Sequence, residues 1–523
     1  MNRKEARQHQ ADARKAQDEN DVLVVNLPTG SGKSLIQSRC ILDDILISPT
    51  PGVYVVLAPR ILLATQLFSE LKVDMALNNV DAQYLIVNSG NRNDSKADLE
   101  WFESVRKIEM EAGIPYREVP NTTQVQTILD TYQKAQAENV PLIIVGNYQS
   151  AEKISKADLP IKQLHADEAH YLVPGVEQEN DLSSIVVGFK AVKKYYYTAT
   201  MKFTNGQLGM NNQERFGPVF SRLPVELINA GELVRPRMHL VDIVTDKNSS
   251  EEEKDAIAIE DAFREHRMML AEGAKTLGAK ILVTAKGSVH LDKLVKHPKL
   301  IALREDRPNL RIFDISSANG ARINEERVTR EEFLKALRGL KDDDEAIVIH
   351  VRILTEGIDV PGITGIMPLN NLKKSSFLQT LGRATRLHLM DRSRLYAGSL
   401  EANALKRFVK PYAWVIIPAY DDLGEEMKAT FTEMVRDLRT FGFKPSEDVF
   451  VSTSKGARAP VAIGTTTDPD HKEIFGTNAA ALIYEVEHTI EEEETANHID
   501  EYKQKIKKAC DEDIAAALIC GDF

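Results

Sequence analysis

The chain has 523 residues, enough for two to four domains of ordinary size. An apolar fraction of 43% fits globular cores, and a net charge of −12 argues against a protein that coats nucleic acid over its whole surface, although a local basic track stays open because steering depends on where charge sits. The three cysteines, Cys40, Cys510 and Cys520, lack metal-ligand spacing, so neither a zinc site nor a disulfide framework is expected and a reducing cytoplasm is the expected compartment.

The opening stretch, MNRKEARQHQADARKAQDEN, is charged and has no apolar h-region, so it does not read as a signal peptide. No uncharged apolar run reaches bilayer length, and no membrane partner is expected. Short β-rich runs then alternate with helical patterns: DVLVVNL, GVYVVLAP, AQYLIVN, PLIIVGN, KQLHADEAH and KKYYYTAT. Continuous apolar strands between helices predict a parallel sheet covered on both faces. The charged insertion Asn91–Gly113 predicts a surface helical elaboration.

The alternation pauses across Leu227–Val241, which contains a Gly, a Pro and polar breaks, and a boundary is placed near Arg235. A second series follows: KILVTAKG, NLRIFDIS, EAIVIHV, ITGIMPL and YAWVIIPAY. Two tandem α/β domains are therefore expected, residues 1–232 and 233–420. Beyond Tyr420, GEEMKATFTEMVRDLRTFGF reads as an amphipathic helix, and the later glutamate block with its basic patch reads as a solvated helix face. Residues 421–523 are expected to form a mostly helical extension that docks a protein partner or nucleic acid.

The stretch VVNLPTGSGKSLIQ runs from Val24 to Gln37. Its glycines let backbone N–H groups converge on phosphate oxygens, Lys33 suits the β/γ-phosphates, and the Ser34 hydroxyl suits Mg²⁺. Leu27 stands where the full phosphate-loop pattern has its first glycine. This loop predicts nucleotide binding and leaves kinase, GTPase, transporter and motor open. Asp167 and Glu168 close another apolar strand, where an Asp can hold Mg²⁺ through water and a Glu can polarise an attacking water. Arg383 and Arg386 lie three apart, hence on one helix face, and become arginine fingers if their domain meets a nucleotide bound to the first.

In this order the segments resemble a superfamily-2 DEAH-box helicase or translocase, closest to the branch holding type III restriction motor subunits and XPB-like DNA helicases. PTGSGKS (Pro28–Ser34) resembles motif I, Leu57–Leu67 motif Ia, Asp167–His170 motif II, Thr198–Thr200 motif III, Ile353–Pro361 motif V and Gln379–Arg386 motif VI. The resemblance implies two RecA-like domains that use ATP with Mg²⁺. Thr29, Gly30, Ser31, Gly32, Lys33 and Ser34 would cradle the phosphates. Ser34 and Asp167 would hold the metal, and Glu168 would activate water. Gln379, Arg383 and Arg386 would complete catalysis from the second domain. Gln10 would read adenine, and Gly357 and Asp359 would approach the ribose and phosphates. His170, Thr198 and Thr200 would couple ATP to the nucleic-acid track, which Arg60, Asn147 and Thr355 would contact. Asn147 stands where that branch usually has Thr, and Thr380 where many relatives carry Arg, which implies altered interdomain contacts. The partner implied is nucleic acid, DNA before RNA. The functions in competition are a DNA helicase or translocase, a motor subunit of a larger restriction or repair complex, an RNA helicase, and a nucleotide switch that does not move. His165, Trp101 and Trp414 read as packing residues.

Overall fold

The computed structural model describes residues 7–48, 50–89, 105–174, 181–204, 208–243, 249–273, 277–316, 318–351, 362–369, 374–420, 425–444 and 448–453, together with Val486 and Ile490. The first series of apolar runs becomes β1 (Val22–Asn26), β2 (Val53–Ala58), β3 (Gln83–Val87), β4 (Asn121–Thr122), β5 (Leu142–Asn147), β6 (Ile161–Ala166), β7 (Ala191–Thr198) and β8 (Val219–Ser221). They form one sheet in the order β4-β3-β5-β2-β6-β7-β1-β8, and every pairing is parallel. Side chains alternate along β2: Val53, Val55 and Leu57 enter one core, while Tyr54, Val56 and Ala58 enter the other. Helices on both faces make such a strand apolar throughout. The chain leaves β1 toward β2 on one side, yet leaves β7 toward β8 on the other. The carboxyl ends of β1 and β7 therefore flank a switch point, where α/β sheets open a crevice.

The second series gives β9 (Arg235–Ile243), β10 (Lys280–Thr284), β11 (Leu310–Ser316), β12 (Gly320–Ile323), β13 (Glu326–Val328), β14 (Glu345–His350), β15 (Gly365–Pro368), β16 (Tyr412–Tyr420) and β17 (Val449–Thr453). Their order is β13-β12-β11-β14-β10-β15-β16-β9-β17, parallel except where β12 pairs antiparallel with β11 and β13. The fold is two tandem RecA-like α/β domains.

The second sheet continues past residue 420. The helix Glu425–Arg439 buries Phe431, Met434, Val435 and Leu438, a helical stripe, in the core that holds Val415 and Ile417 of β16. Strand β17 then pairs with β9. Buried Asp448 fixes this junction by accepting from Arg235 at 2.6 Å, and the Arg237 guanidinium lies 3.5 Å from the Tyr412 ring centroid. Val486 and Ile490, four residues apart, are helical and belong to the same core. The remainder of 454–523 lies outside the described residues, as does Trp101. Trp414 packs edge-on against Phe450, with ring centroids 5.3 Å apart. Of the charged insertion, residues 105–113 are described, and they are tied down: Val105 is buried and Glu109 pairs with buried Lys72 at 3.3 Å. No helix of the described residues is long and apolar enough to cross a membrane.

Candidate active site

The chain leaves β1 into Pro28–Gly32, where Gly30 and Gly32 hold φ of +88° and +86°. Only glycine adopts this left-handed backbone freely, and it turns the loop so that the helix Lys33–Ile47 starts with its N-terminus toward the crevice. Lys33 Nζ donates to the carbonyls of Leu27 and Pro28, at 3.0 and 3.4 Å. Burial lowers its pKa; Glu168 and then Asp167 push it back up, and Arg386 lowers it further. Ser34, half-buried, occupies the next helical position. Thr29 Oγ1 and Ser31 Oγ are buried without a hydrogen-bond partner among the described residues. These hydroxyls and the glycine-shaped backbone suit a phosphate chain.

The helix Gln8–Glu19 braces this loop. His9 Nε2 and Gln10 Nε2 each lie 2.9 Å from the Ser31 carbonyl oxygen, and Gln10 Oε1 accepts from the Arg7 amide at 3.0 Å. Gln10 is thus held against the loop backbone at both ends of its amide. A Cβ on Gly32 would come within 2.4 Å of Gln10 Nε2.

Across the crevice, β6 ends at Ala166 and delivers the acidic pair. The Asp167 amide donates to Leu57 at 2.8 Å, and its carboxylate accepts from Gln37 Nε2 at 3.1 Å. Glu168 follows with φ +49°, an uncommon conformation for a residue with a side chain. Burial raises the pKa of Asp167, helped by the neighbouring Glu168 charge and opposed by Lys33. For Glu168, burial is outweighed by the His170 ring and by the charges of Lys33 and Arg383, so its pKa is lowered. His170 Nδ1 stands 3.3 Å from Glu168 Oε2 and 3.2 Å from Thr198 Oγ1. The Thr198 hydroxyl donates to the Thr200 carbonyl at 2.8 Å and accepts from the Thr200 amide at 3.1 Å. With its proton spent there, it accepts from the ring, which fixes the tautomer with hydrogen on Nδ1.

The second domain reaches the loop through the helix Lys374–Ala384. A Cβ on Gly382 would lie 2.3 Å from Thr29 Cβ, and one on Gly30 would lie 3.1 Å from the Gly382 carbonyl oxygen and 3.2 Å from Arg386 Cγ. Leu233 and Arg386 form an antiparallel bridge, and the Val234 amide donates to Thr385 at 2.8 Å. Arg383 is buried close enough to Glu168 to favour its ionised form. Gln379 is buried on the same helix. Thr380, where an arginine was the alternative, donates its hydroxyl to Ser376 of its own helix at 2.7 Å.

Residues 7–110, which include the phosphate loop, match the DEAD/DEAH box helicase family. That match spans about a fifth of the chain. None of the curated proteins matches it in sequence. In fold it is similar to an ATP-dependent Type ISP restriction-modification enzyme, LlaBIII, solved bound to DNA, with a TM-score of 0.59 and 18% identity over 92% of this chain and 33% of that one. It is also similar to a nuclease-deletion mutant of the Type ISP enzyme LlaGI with a DNA substrate mimic, with a TM-score of 0.51 and 17% identity over 83% of this chain and 29% of that one. The chain spans about a third of the length of these two enzymes.

Other residues singled out from the sequence lie away from the phosphate loop. Asn147 ends β5, in register with Ala58 of β2, so it and exposed Arg60 come from adjacent strand ends. Thr355, Gly357 and Asp359 lie outside the described residues. His165 is buried with both nitrogens engaged, Nδ1 2.9 Å from Tyr197 Oη and Nε2 3.0 Å from Gln163 Oε1, as a packing histidine should be. Sequence reading passed over His9, Gln37 and Gly382. The adjacent His-Gln pair was the signal for the first, and the glycine inside an otherwise helical pattern was the signal for the last.

Proposed function

We propose that this chain is an ATP-dependent DNA helicase or translocase that hydrolyses ATP where its two RecA-like domains meet. One observation carries the reading. Gly382 packs on Thr29, which brings Arg383 and Arg386 to the loop that holds Lys33 and to the Asp167–Glu168 pair. A nucleotide switch has no need of arginines delivered from a second domain; charge stabilisation during phosphoryl transfer does.

In this reading Lys33 exchanges the carbonyls of Leu27 and Pro28 for the β/γ-phosphates, and the backbone from Thr29 to Gly32 donates to the phosphate oxygens. Ser34 and Asp167 supply the oxygen donors that a magnesium ion takes. That ion, when bound, neutralises phosphate charge and favours the ionised form of Asp167. Glu168, ionised below its ordinary range, accepts a proton from the attacking water. Arg383 and Arg386 hold the charge that develops on the transferred group, and His170, Thr198 and Thr200 relay the state of Glu168 to the domain junction.

DNA is preferred over RNA because both similar structures were solved with DNA or a DNA mimic. Their threefold greater length supports a second reading, a motor subunit whose further chemistry comes from a partner. Steady-state ATP turnover with no nucleic acid, single-stranded DNA, duplex DNA, a fork and RNA tests the proposal. A several-fold rise with DNA is expected, with binding that weakens as salt rises because backbone contacts release counterions. Equal rates in every condition would return the switch reading, and stimulation by RNA alone would make the protein an RNA helicase.

A further inference from the structure

Tyr148 has no part in the chemistry above, yet it touches the catalytic turn. It is buried, and its phenol donates to the main-chain carbonyl of Asp167 at 2.5 Å. That carbonyl belongs to the peptide joining Asp167 to Glu168. The orientation of this peptide sets φ of Glu168, the residue held at +49°. Asp167 is therefore held by its amide (Leu57), its carboxylate (Gln37) and its carbonyl (Tyr148), and only the last bond fixes the peptide that follows.

The other end of Tyr148 is anchored elsewhere. It begins the short helical turn Tyr148–Ser150, directly after Asn147 at the carboxyl end of β5. Asn147 is 6% exposed; its Nδ2 donates to Gln149 at 2.8 Å, while its Oδ1 is buried with no hydrogen-bond partner among the described residues. An unsatisfied buried amide oxygen is costly and takes a donor, such as a base N–H, when one arrives, whereas a phosphate, which only accepts, would draw the Nδ2 hydrogens away from Gln149. A ligand at this strand end that draws on Asn147 would bear directly on the turn that carries the phenol.

The geometry points to Tyr148 as a positioning residue that sets the Asp167–Glu168 peptide according to what occupies the end of β5, so that nucleic acid bound there raises ATP turnover. This rests on the helicase reading. Tyr148→Phe keeps the ring in its core and removes only the hydroxyl. Turnover with and without saturating duplex DNA, KM for ATP, DNA affinity and the melting point are measured for wild type and variant. The expected result is a fall of about five- to tenfold in the ratio of DNA-stimulated to unstimulated turnover, the effect of losing one ordinary hydrogen bond. KM and DNA affinity should stay within about twofold and the melting transition should stay cooperative. Ile128→Val trims the same core without touching the phenol and should keep the wild-type ratio. A full wild-type ratio in Tyr148→Phe, or an equal fall in Ile128→Val, overturns the assignment. A wild type that DNA fails to stimulate instead overturns the helicase reading beneath it.

Discussion

Gly30 and Gly32 hold φ of +88° and +86°, so the loop they shape is defined by its own backbone. Gly382, which faces them from the second domain, sits in ordinary helix, and it lacks a side chain because Thr29 stands where a Cβ would point. The helix around Gly382 is likewise held from outside. Buried Lys410 donates to the Ala384 carbonyl at 2.7 Å and to Ile363 at 3.2 Å, placing a positive charge at the helix C-terminus. One half of the candidate site is therefore built locally and the other half by docking. Damage to the first should appear as lost nucleotide binding, and damage to the second as lost turnover.

The largest expected effect comes from the arginines. Arg383→Ala and Arg386→Ala should each cut DNA-stimulated turnover by about 10³–10⁵ while changing ATP affinity much less. Lys33→Ala on the loop side should weaken ATP binding itself, and Glu168→Gln should bind ATP but barely turn it over. Exposed Arg338 supplies a control whose replacement by Ala should be nearly silent. Steady-state ATPase beside equilibrium nucleotide binding separates these outcomes. Near-normal turnover in both arginine variants would dissolve the docked half of the site.

Glycine substitutions sharpen the contrast at smaller scale. Gly32→Ala strains a left-handed backbone and collides with Gln10, so ATP binding should weaken and stability should fall by about 1–3 kcal/mol. Gly382→Ala gains about 0.5–1 kcal/mol of helix propensity, but its new methyl meets Thr29 at 2.3 Å. Its turnover should drop roughly tenfold, about 1.4 kcal/mol in barrier, with ATP binding kept. Equal losses of binding in the two variants would mean that the halves are not separable.

The smallest effect is a pH dependence of stability. Burial lowers the pKa of His165 to about 3 in the first domain, and of His239, His266 and His350 to about 4, 3 and 3 in the second. Each is neutral when folded and takes up a proton near pH 6.5 when unfolded. Their contribution is complete above that pH and is lost as pH falls toward the folded values. With three such rings against two, since burial also lowers the pKa of His9 in the first domain, the second domain should lose protection first on acidification. Hydrogen exchange between pH 7 and pH 5 reads this directly, and earlier loss in the first domain would contradict it.

Two alternating series of apolar runs were enough to give two parallel α/β sheets, because strand burial on both faces leaves a continuous apolar signature. The end of the second sheet was less legible. Val449–Thr453 carries no mark that it would pair with β9, some two hundred residues earlier, and the amphipathic helix before it shows a buried stripe without saying what covers it. Gln10 shows the same limit. Its position upstream suggested a residue that reads adenine, and gave no sign of the bond that holds its amide on Ser31.

The sequence by itself determined what rests on neighbouring residues: the glycine turn before Lys33, the acidic pair ending β6, and the spacing that puts Arg383 and Arg386 on one helix face. Backbone torsion and helical period are local properties, so a short window carries them. Only the tertiary structure decided that Gly382 packs on Thr29, that Lys410 caps the arginine helix, that Gln37 holds Asp167 and that Tyr148 pins the peptide before Glu168. Each of these contacts joins residues far apart in the chain. Their partners are chosen by how two sheets and their covering helices pack, and no pattern within one segment encodes that choice.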